Sequence, residues 1–361
     1  MKIGIFGGSF DPIHNGHIKV AKEAIEQLNL DKLYFVPTFK SPFKTKQKYA
    51  PWEDRIKMIE MVKPQKSEIS LFEIKRKGTS YTIDTVSHFK KQFPNDELFL
   101  ILGSDNLDKL HKWKEIETIS KSVQIVIFKR NKNIFKENLK KFNCLLLNNQ
   151  IYEFSSSDVK KGNFSGLDPK VNQYIGDNYL YILDILNNTL EAKRNKHCRA
   201  TASIAAEYAK LLKYDAKIAW FAGLTHDITK NWDKEFHRMF LENNGVDSSV
   251  IPDYKLHQTT GALWLQKYYK ITNPEIIRAI SIHTSLDFEL DTLDKIVFMA
   301  DKLCEGRRFE GVQRIRKLAF EDFDKAFSEV VQMTWDYNLN KGVEILPEQI
   351  AIYEKWIQKD N

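Results

Sequence analysis

In the first half of the chain, short apolar runs alternate with stretches of helical spacing. Lys2 to Phe6, Leu33 to Val36, Leu98 to Leu102, Val123 to Phe128 and Cys144 to Leu147 read as buried strands. Between the first two, Ile18, Ala21, Ala24, Ile25 and Leu28 recur on one face of a helix. This alternation predicts βαβ units and a parallel sheet. From about Tyr179 the strand-like runs cease. Thr201 to Leu212, Lys217 to Leu224, Thr260 to Tyr269, Pro274 to His283 and Leu293 to Leu303 all carry helical periodicity. The pattern predicts an α/β domain over 1–180 and an all-α domain over 181–361, with the change between Asn178 and Asp184. The Lys- and Asn-rich stretch Asn131 to Asn149 reads as compositional bias, and no internal repeat is found.

Composition supports this division. A chain of 361 residues is long enough for about two domains, and 42% hydrophobic with 29% charged residues is ordinary globular usage. The net charge of +7 is spread along the chain. It suits an anionic ligand such as a nucleotide and falls short of a nucleic-acid-binding signature. No apolar run approaches the roughly 20 residues of a membrane helix, and the start does not read as a secretory signal. Cys144, Cys198 and Cys304 are odd in number and widely spaced, which excludes a disulfide framework and a Cys-x-x-Cys zinc site. A reducing cytoplasm is the expected location; self-association is left open.

The first strand ends in Gly7-Gly8-Ser9-Phe10-Asp11-Pro12 and continues into His14-Asn15-Gly16-His17. Glycines that let the backbone approach a phosphate, followed by a helix N-terminus with free N–H groups, make an anion site. His14 and His17, three apart, can face one ligand. This string resembles the bacterial nicotinate mononucleotide adenylyltransferase family, and the resemblance covers roughly Met1 to Tyr179. Further family-like motifs follow in order: Val36 to Lys44 with its lysine, Arg55, Glu73 through Arg76 to Gly78, Ser80 to Thr85, Leu102-Gly103-Ser104-Asp105-Asn106, and Trp113. The usual His before Lys44 is Phe43, and the last motif, Ser155 to Lys160, ends in Lys where the family has Arg.

The resemblance implies a Rossmann-like nucleotidyltransferase domain that joins nicotinate mononucleotide to the AMP of ATP, with Mg²⁺. It implies that His14, His17 and Lys44 are catalytic. Gly8, Ser9, Phe10, His17, Gly103, Asp105, Ser156 and Lys160 would bind ATP; Lys44, Tyr81, Thr82 and Trp113 would bind the mononucleotide. Nicotinamide mononucleotide is the alternative acceptor.

Six of the nine histidines lie in two motif sets; His88, His111 and His237 read as surface or packing residues. In the second half His197, His226-Asp227, His257, His283 and Asp301 recur at helix-scale intervals, and imidazoles and carboxylates from several helices can converge as ligands of a divalent metal. Their order resembles the HD superfamily of metal-dependent phosphohydrolases, and more closely the bacterial HD family that splits diadenosine tetraphosphate into two ADP. The resemblance covers about Tyr181 to Ile352. It includes Lys230, Gly261-Ala262, Thr284-Ser285, Arg307, Phe309 and Gly311-Val312, with Cys304-Glu305-Gly306 in place of the usual Glu-Pro-Asn. It implies an HD-type domain with one or two divalent metals, iron first and Mn²⁺ second. His197, His226, Asp227, His257, His283 and Asp301 would be the ligands, with Asp227 and Lys230 catalytic. Lys230 and Arg307 would hold polyphosphate. The alternatives are another nucleotidase or phosphodiesterase, or a non-catalytic metal-binding module, regulatory or RNA-binding.

Overall fold

The apolar runs of the first half pair as a parallel sheet, which explains why they lack polar alternation: strands covered on both faces are apolar on both. The computed structural model describes residues 1–42, 48–130, 134–342 and 345–357. The chain divides into two compact units, Met1–Ile175 and Gly176–Asn361. In the first, β1 (Lys2–Gly8), β2 (Lys32–Pro37), β3 (Ser67–Ile69), β4 (Glu97–Gly103), β5 (Gln124–Phe128) and β6 (Leu145–Leu146) take the order β3-β2-β1-β4-β5-β6. Ile5 lies beside Tyr34 on one side and Leu100 on the other. Ile83, Val86, Phe89, Leu107, Leu110 and Ile119 pack over Ile3, Ile5, Leu98, Leu100, Ile125 and Ile127.

Two strands depart from the sequence pattern. β3 was not predicted, because Ser67-Glu68-Ile69 has no apolar run; its pairing with β2 defines it. The expected buried strand Cys144 to Leu147 is a two-residue edge strand whose Leu145 and Leu146 are exposed. Leu147, just after it, is buried, and Cys144, just before it, packs partly buried against the core of the sheet.

The chain steps from β1 to β2 to β3 in one direction, then β4 returns to the other side of β1. A crevice therefore opens at the carboxyl ends of β1 and β4, where an open parallel sheet binds its ligands.

Among the described residues, the second unit is built from helices. Helix Ala192–Leu211 begins before the expected Thr201 and lies against Ala216–Thr225. Small residues allow the approach: a Cβ on Gly223 would come 3.0 Å from the Ala205 Cβ and 3.1 Å from the Ala202 Cα. Helix Ala216–Thr225 is apolar nearly all round and is buried in the bundle, with Asp215 capping Lys217 and Ile218 at its start. Pro274–Ile282 and Thr292–Leu303 also pack against it, and Leu256–Lys267 lies against Pro274–Ile282. No described helix is long and apolar enough to cross a membrane.

Candidate functional sites

In the first unit, a cavity of about 530 Å³ opens at the carboxyl ends of the strands. Gly8 at the end of β1 and Ser9 after it, Thr38 after β2, Gly103 at the end of β4 and Asp105 after it, and Arg130 after β5 line it. His17, Ser156, Lys160, Tyr81, Thr82 and Trp113 also line it. Helix Asn15–Gln27 supplies its N-terminus beside the β1 loop. The His14 main-chain N–H donates to His17 Nδ1 at 3.3 Å, which leaves the proton of the neutral imidazole on Nε2. Burial first, then the neighbouring His14 and the Arg130 charge, holds His17 well below its ordinary pKa, so it is a neutral donor.

His14 and Phe10 sit differently. His14 is nearly fully buried; its ring lies 3.7 Å from that of His17 and lines a small adjoining pocket with Arg130 and Tyr152. Burial, then Arg130, lowers its pKa to about 3. The Phe10 ring is fully buried against Phe6, Phe35 and His17. Lys44 lies outside the described residues. Lys160 is held by Asp11, Nζ to Oδ2 at 2.5 Å, and the Ser156 hydroxyl donates to the Pro12 carbonyl at 2.9 Å. The last motif is thereby fastened to the β1 loop.

Two arginines carry more of this site than the sequence revealed. Arg55, 2% exposed, donates to the carbonyls of Ser9 (2.7 Å), Thr38 (2.9 Å) and Ala50 (3.2 Å), tying the segments after β1 and β2 together. Arg130 pairs with Asp105 at 3.1 Å and borders both histidines' pockets. Its only sequence signal was a basic residue two positions past a strand end. Glu73 also lines the cavity; it accepts from the Thr85 hydroxyl at 2.7 Å, and burial raises its pKa.

In the second unit the six expected ligands converge. His226 and His283 follow the ends of helices Ala216–Thr225 and Pro274–Ile282, while His197, His257 and Asp301 lie within helices. They form two groups that share Asp227. His197 and His226 bring their Nε2 atoms to 3.2 Å from each other and to 3.9 and 3.5 Å from Asp227 Oδ2. Asp301 Oδ1 lies 3.0 and 3.6 Å from the same two nitrogens. The Nε2 atoms of His257 and His283, also 3.2 Å apart, lie 3.5 and 3.7 Å from Asp227 Oδ1.

This arrangement fits divalent metal ions. Ligand nitrogens bound at about 2.1 Å stand about 3 to 3.4 Å apart around one ion. The Nδ1 atoms of His226 and His283 donate to the Gly223 and Ile280 carbonyls, each at 2.7 Å, so it is their Nε2 atoms that face inward. In the protein alone, side-chain cations balance the carboxylates: Arg194 reaches Asp227 at 2.6 Å, and Lys302 and Arg307 reach Asp301 at 2.6 and 2.5 Å. Burial disfavours both carboxylate charges, yet His226 beside Asp227 and Lys302 beside Asp301 keep both acids well below the ordinary range. Lys230 Nζ lies 3.0 Å from His257 Nε2, and burial lowers its pKa. Arg194 was not singled out in the sequence, although it stands one helical turn before His197. His237 is buried and hydrogen-bonded to Thr260 at 2.7 Å, a packing role away from the six.

The cytidylyltransferase-like family model matches residues 5–162 and the HD domain model residues 194–306. A protein of Mycoplasma genitalium named probable nicotinate-nucleotide adenylyltransferase/Ap4A hydrolase is 33% identical over 94% of this chain and 99% of its own length. One of the same name from Mycoplasma pneumoniae is 34% identical over 90% of this chain and 96% of its own. Among solved structures, a predicted HD superfamily hydrolase involved in NAD metabolism from Clostridium acetobutylicum is 31% identical. It covers 50% of this chain and 96% of its own, with a TM-score of 0.47.

Proposed function

The chain belongs to the family of those two-domain relatives, and on that footing we propose that each unit carries one of the two reactions in their name. The first unit transfers AMP from ATP to nicotinate mononucleotide, a step of NAD biosynthesis. A phosphate oxygen of the mononucleotide forms a bond to the α-phosphorus; the α–β bridging bond breaks, and pyrophosphate leaves with its electron pair. The observation that carries this reading is one cavity holding both halves of the chemistry. His17, Ser156, Lys160 and Arg130, suited to phosphate, line the same cavity as Trp113, Tyr81 and Thr82.

Such a transfer needs alignment and charge neutralisation more than covalent help. His17 Nε2–H donates to the triphosphate, most strongly as charge builds on the leaving group. Trp113 stacks on the pyridine ring, while Thr82 and nearby main-chain N–H groups receive its carboxylate. Lys160, already paired with Asp11, contributes charge and holds the loop. Mg²⁺, when bound, neutralises triphosphate oxygens.

The second unit hydrolyses diadenosine tetraphosphate symmetrically to two ADP. The observation behind this is the sharing of Asp227 by two histidine pairs. Divalent metals, iron first and Mn²⁺ second, supply water activation and charge neutralisation when bound. Lys230 and Arg307 hold the flanking phosphates, and Asp227 keeps the two ligand groups in register. Both reactions use nucleotides and are placed in the cytoplasm.

The test is incubation of the purified chain with diadenosine tetraphosphate and each divalent metal, with product identification, beside parallel transfer assays with the two mononucleotides. ADP as sole product, its loss in Asp227→Ala with transfer retained, and a preference for the nicotinate acceptor are expected. AMP plus ATP, or an intact tetraphosphate with every metal, would overturn the hydrolase assignment. Equal or reversed acceptor preference would overturn the other.

A further inference from the structure

The four histidines of the metal-fitting site differ in what meets the ring nitrogen turned away from it. His226 and His283 stand past the ends of their helices, and each Nδ1–H reaches a main-chain carbonyl three residues back. His197 cannot be served this way. It sits inside helix Ala192–Leu211, where carbonyls are engaged by main-chain N–H groups four residues on. Its Nδ1 faces a side chain from a distant part of the sequence: Cys304 Sγ, 3.3 Å away.

Cys304 is built into this position. It is 1% exposed and caps the end of helix Thr292–Leu303, three residues after the ligand Asp301. Its own S–H points to the Asp301 carbonyl at 3.7 Å, which leaves the sulfur lone pairs for the imidazole N–H. One residue thus touches the main chain of one ligand and the ring of another. It also occupies the first position at which the HD-type pattern departs from its usual Glu-Pro-Asn.

We propose that Cys304 is a positioning residue of the metal centre, whose sulfur accepts the Nδ1–H of His197 and keeps Nε2 aimed at the group shared with His226, Asp227 and Asp301. The inference rests on the reading of these residues as metal ligands. An outer partner of a ligating histidine fixes its tautomer and ring orientation, and losing it costs roughly 10- to 100-fold in metal affinity. The effect belongs to one group only, because His257 and His283 have no contact with Cys304 among the hydrogen bonds that orient them.

The full-length protein, stripped with a chelator, is titrated with Co²⁺ alone. Absorption of the bound ion and chelator competition report its affinity for each group. Wild type is expected to take up two ions. Cys304→Ala should weaken one of them roughly 10- to 100-fold and leave the other within about threefold. Cys304→Val fills the space without an acceptor and should match Ala; Cys304→Ser restores an acceptor and should recover most of the loss. If Ala and Val bind both ions as wild type does, or Ser is as weak as Ala, the positioning role is wrong while the metal reading stands. If wild type itself binds no Co²⁺, the metal reading fails and the inference goes with it. Circular dichroism of the stripped proteins checks folding. Should Ala fail to fold, the Val and Ser pair decides the question.

Discussion

Replacing Arg55 by Ala tests whether one buried guanidinium holds the floor of the adenylyltransferase cavity. Arg55 Nη1 spans the Ser9 and Thr38 carbonyls at 2.7 and 2.9 Å, and Nε reaches Ala50 at 3.2 Å. Hydrogen bonds to a charged group contribute about 1.5 to 3 kcal/mol each, and desolvating the ion offsets several kcal/mol of that total. Truncation removes both contributions but leaves three carbonyls short of a donor and opens a void, so a net loss of about 2 to 5 kcal/mol is expected. With a urea slope of about 2 kcal/mol per molar, the midpoint should fall by roughly 1 to 2.5 M. Loss of adenylyl transfer in rising urea reads this unit specifically. Because Ser9 and Thr38 border the cavity, kcat/KM without urea should also fall, by about 10- to 100-fold. Arg55→Lys, with one donor group in place of a fork, should recover part of the stability and less of the activity. A midpoint for Arg55→Ala within about 0.3 M of wild type, with unchanged kcat/KM, would refute this account.

Two further outcomes follow from the same cavity. His17→Ala should lower kcat by roughly 100-fold, whereas Trp113→Ala should chiefly raise KM for the mononucleotide; steady-state kinetics of both variants separate charge stabilisation from substrate binding. Acid should destabilise the first unit through His14, whose folded pKa of about 3 lies below the ordinary value of 6.5. The unfolded chain then takes up the proton first, so this contribution is complete above pH 6.5 and is lost as pH falls, at about 1.4 kcal/mol per pH unit. Unfolding free energies from urea curves followed by circular dichroism should fall between pH 7 and 5 by roughly 2 kcal/mol more in wild type than in His14→Gln; parallel falls would remove His14 as the cause.

The sequence alone determined the order of elements and the position of most motif residues. Buried parallel strands are apolar throughout and helices repeat near every fourth residue, so both leave local patterns. A phosphate site built from a strand end, a glycine loop and a helix start is likewise contiguous, and Gly8 through His17 could be read as a unit. The candidate HD-type ligands were legible for a different reason: their residue types and order are unusual enough to be recognised. Short or edge elements were legible only in part: β3 left no pattern, and β6 was expected as a strand but not as an exposed edge, since both depend on pairing with a neighbour. Only tertiary structure divided the two oxygens of Asp227 between two histidine pairs, because the four histidines come from four different helices that packing brings together. It also decided that Arg55 serves the main chain, that Lys160 is paired with Asp11, and that Arg130 borders both N-terminal histidines. Cys304 meets His197 across 107 positions of sequence, and no local periodicity encodes a contact of that range. Such contacts follow from the packing of whole elements, which places side chains together after each local pattern has been satisfied.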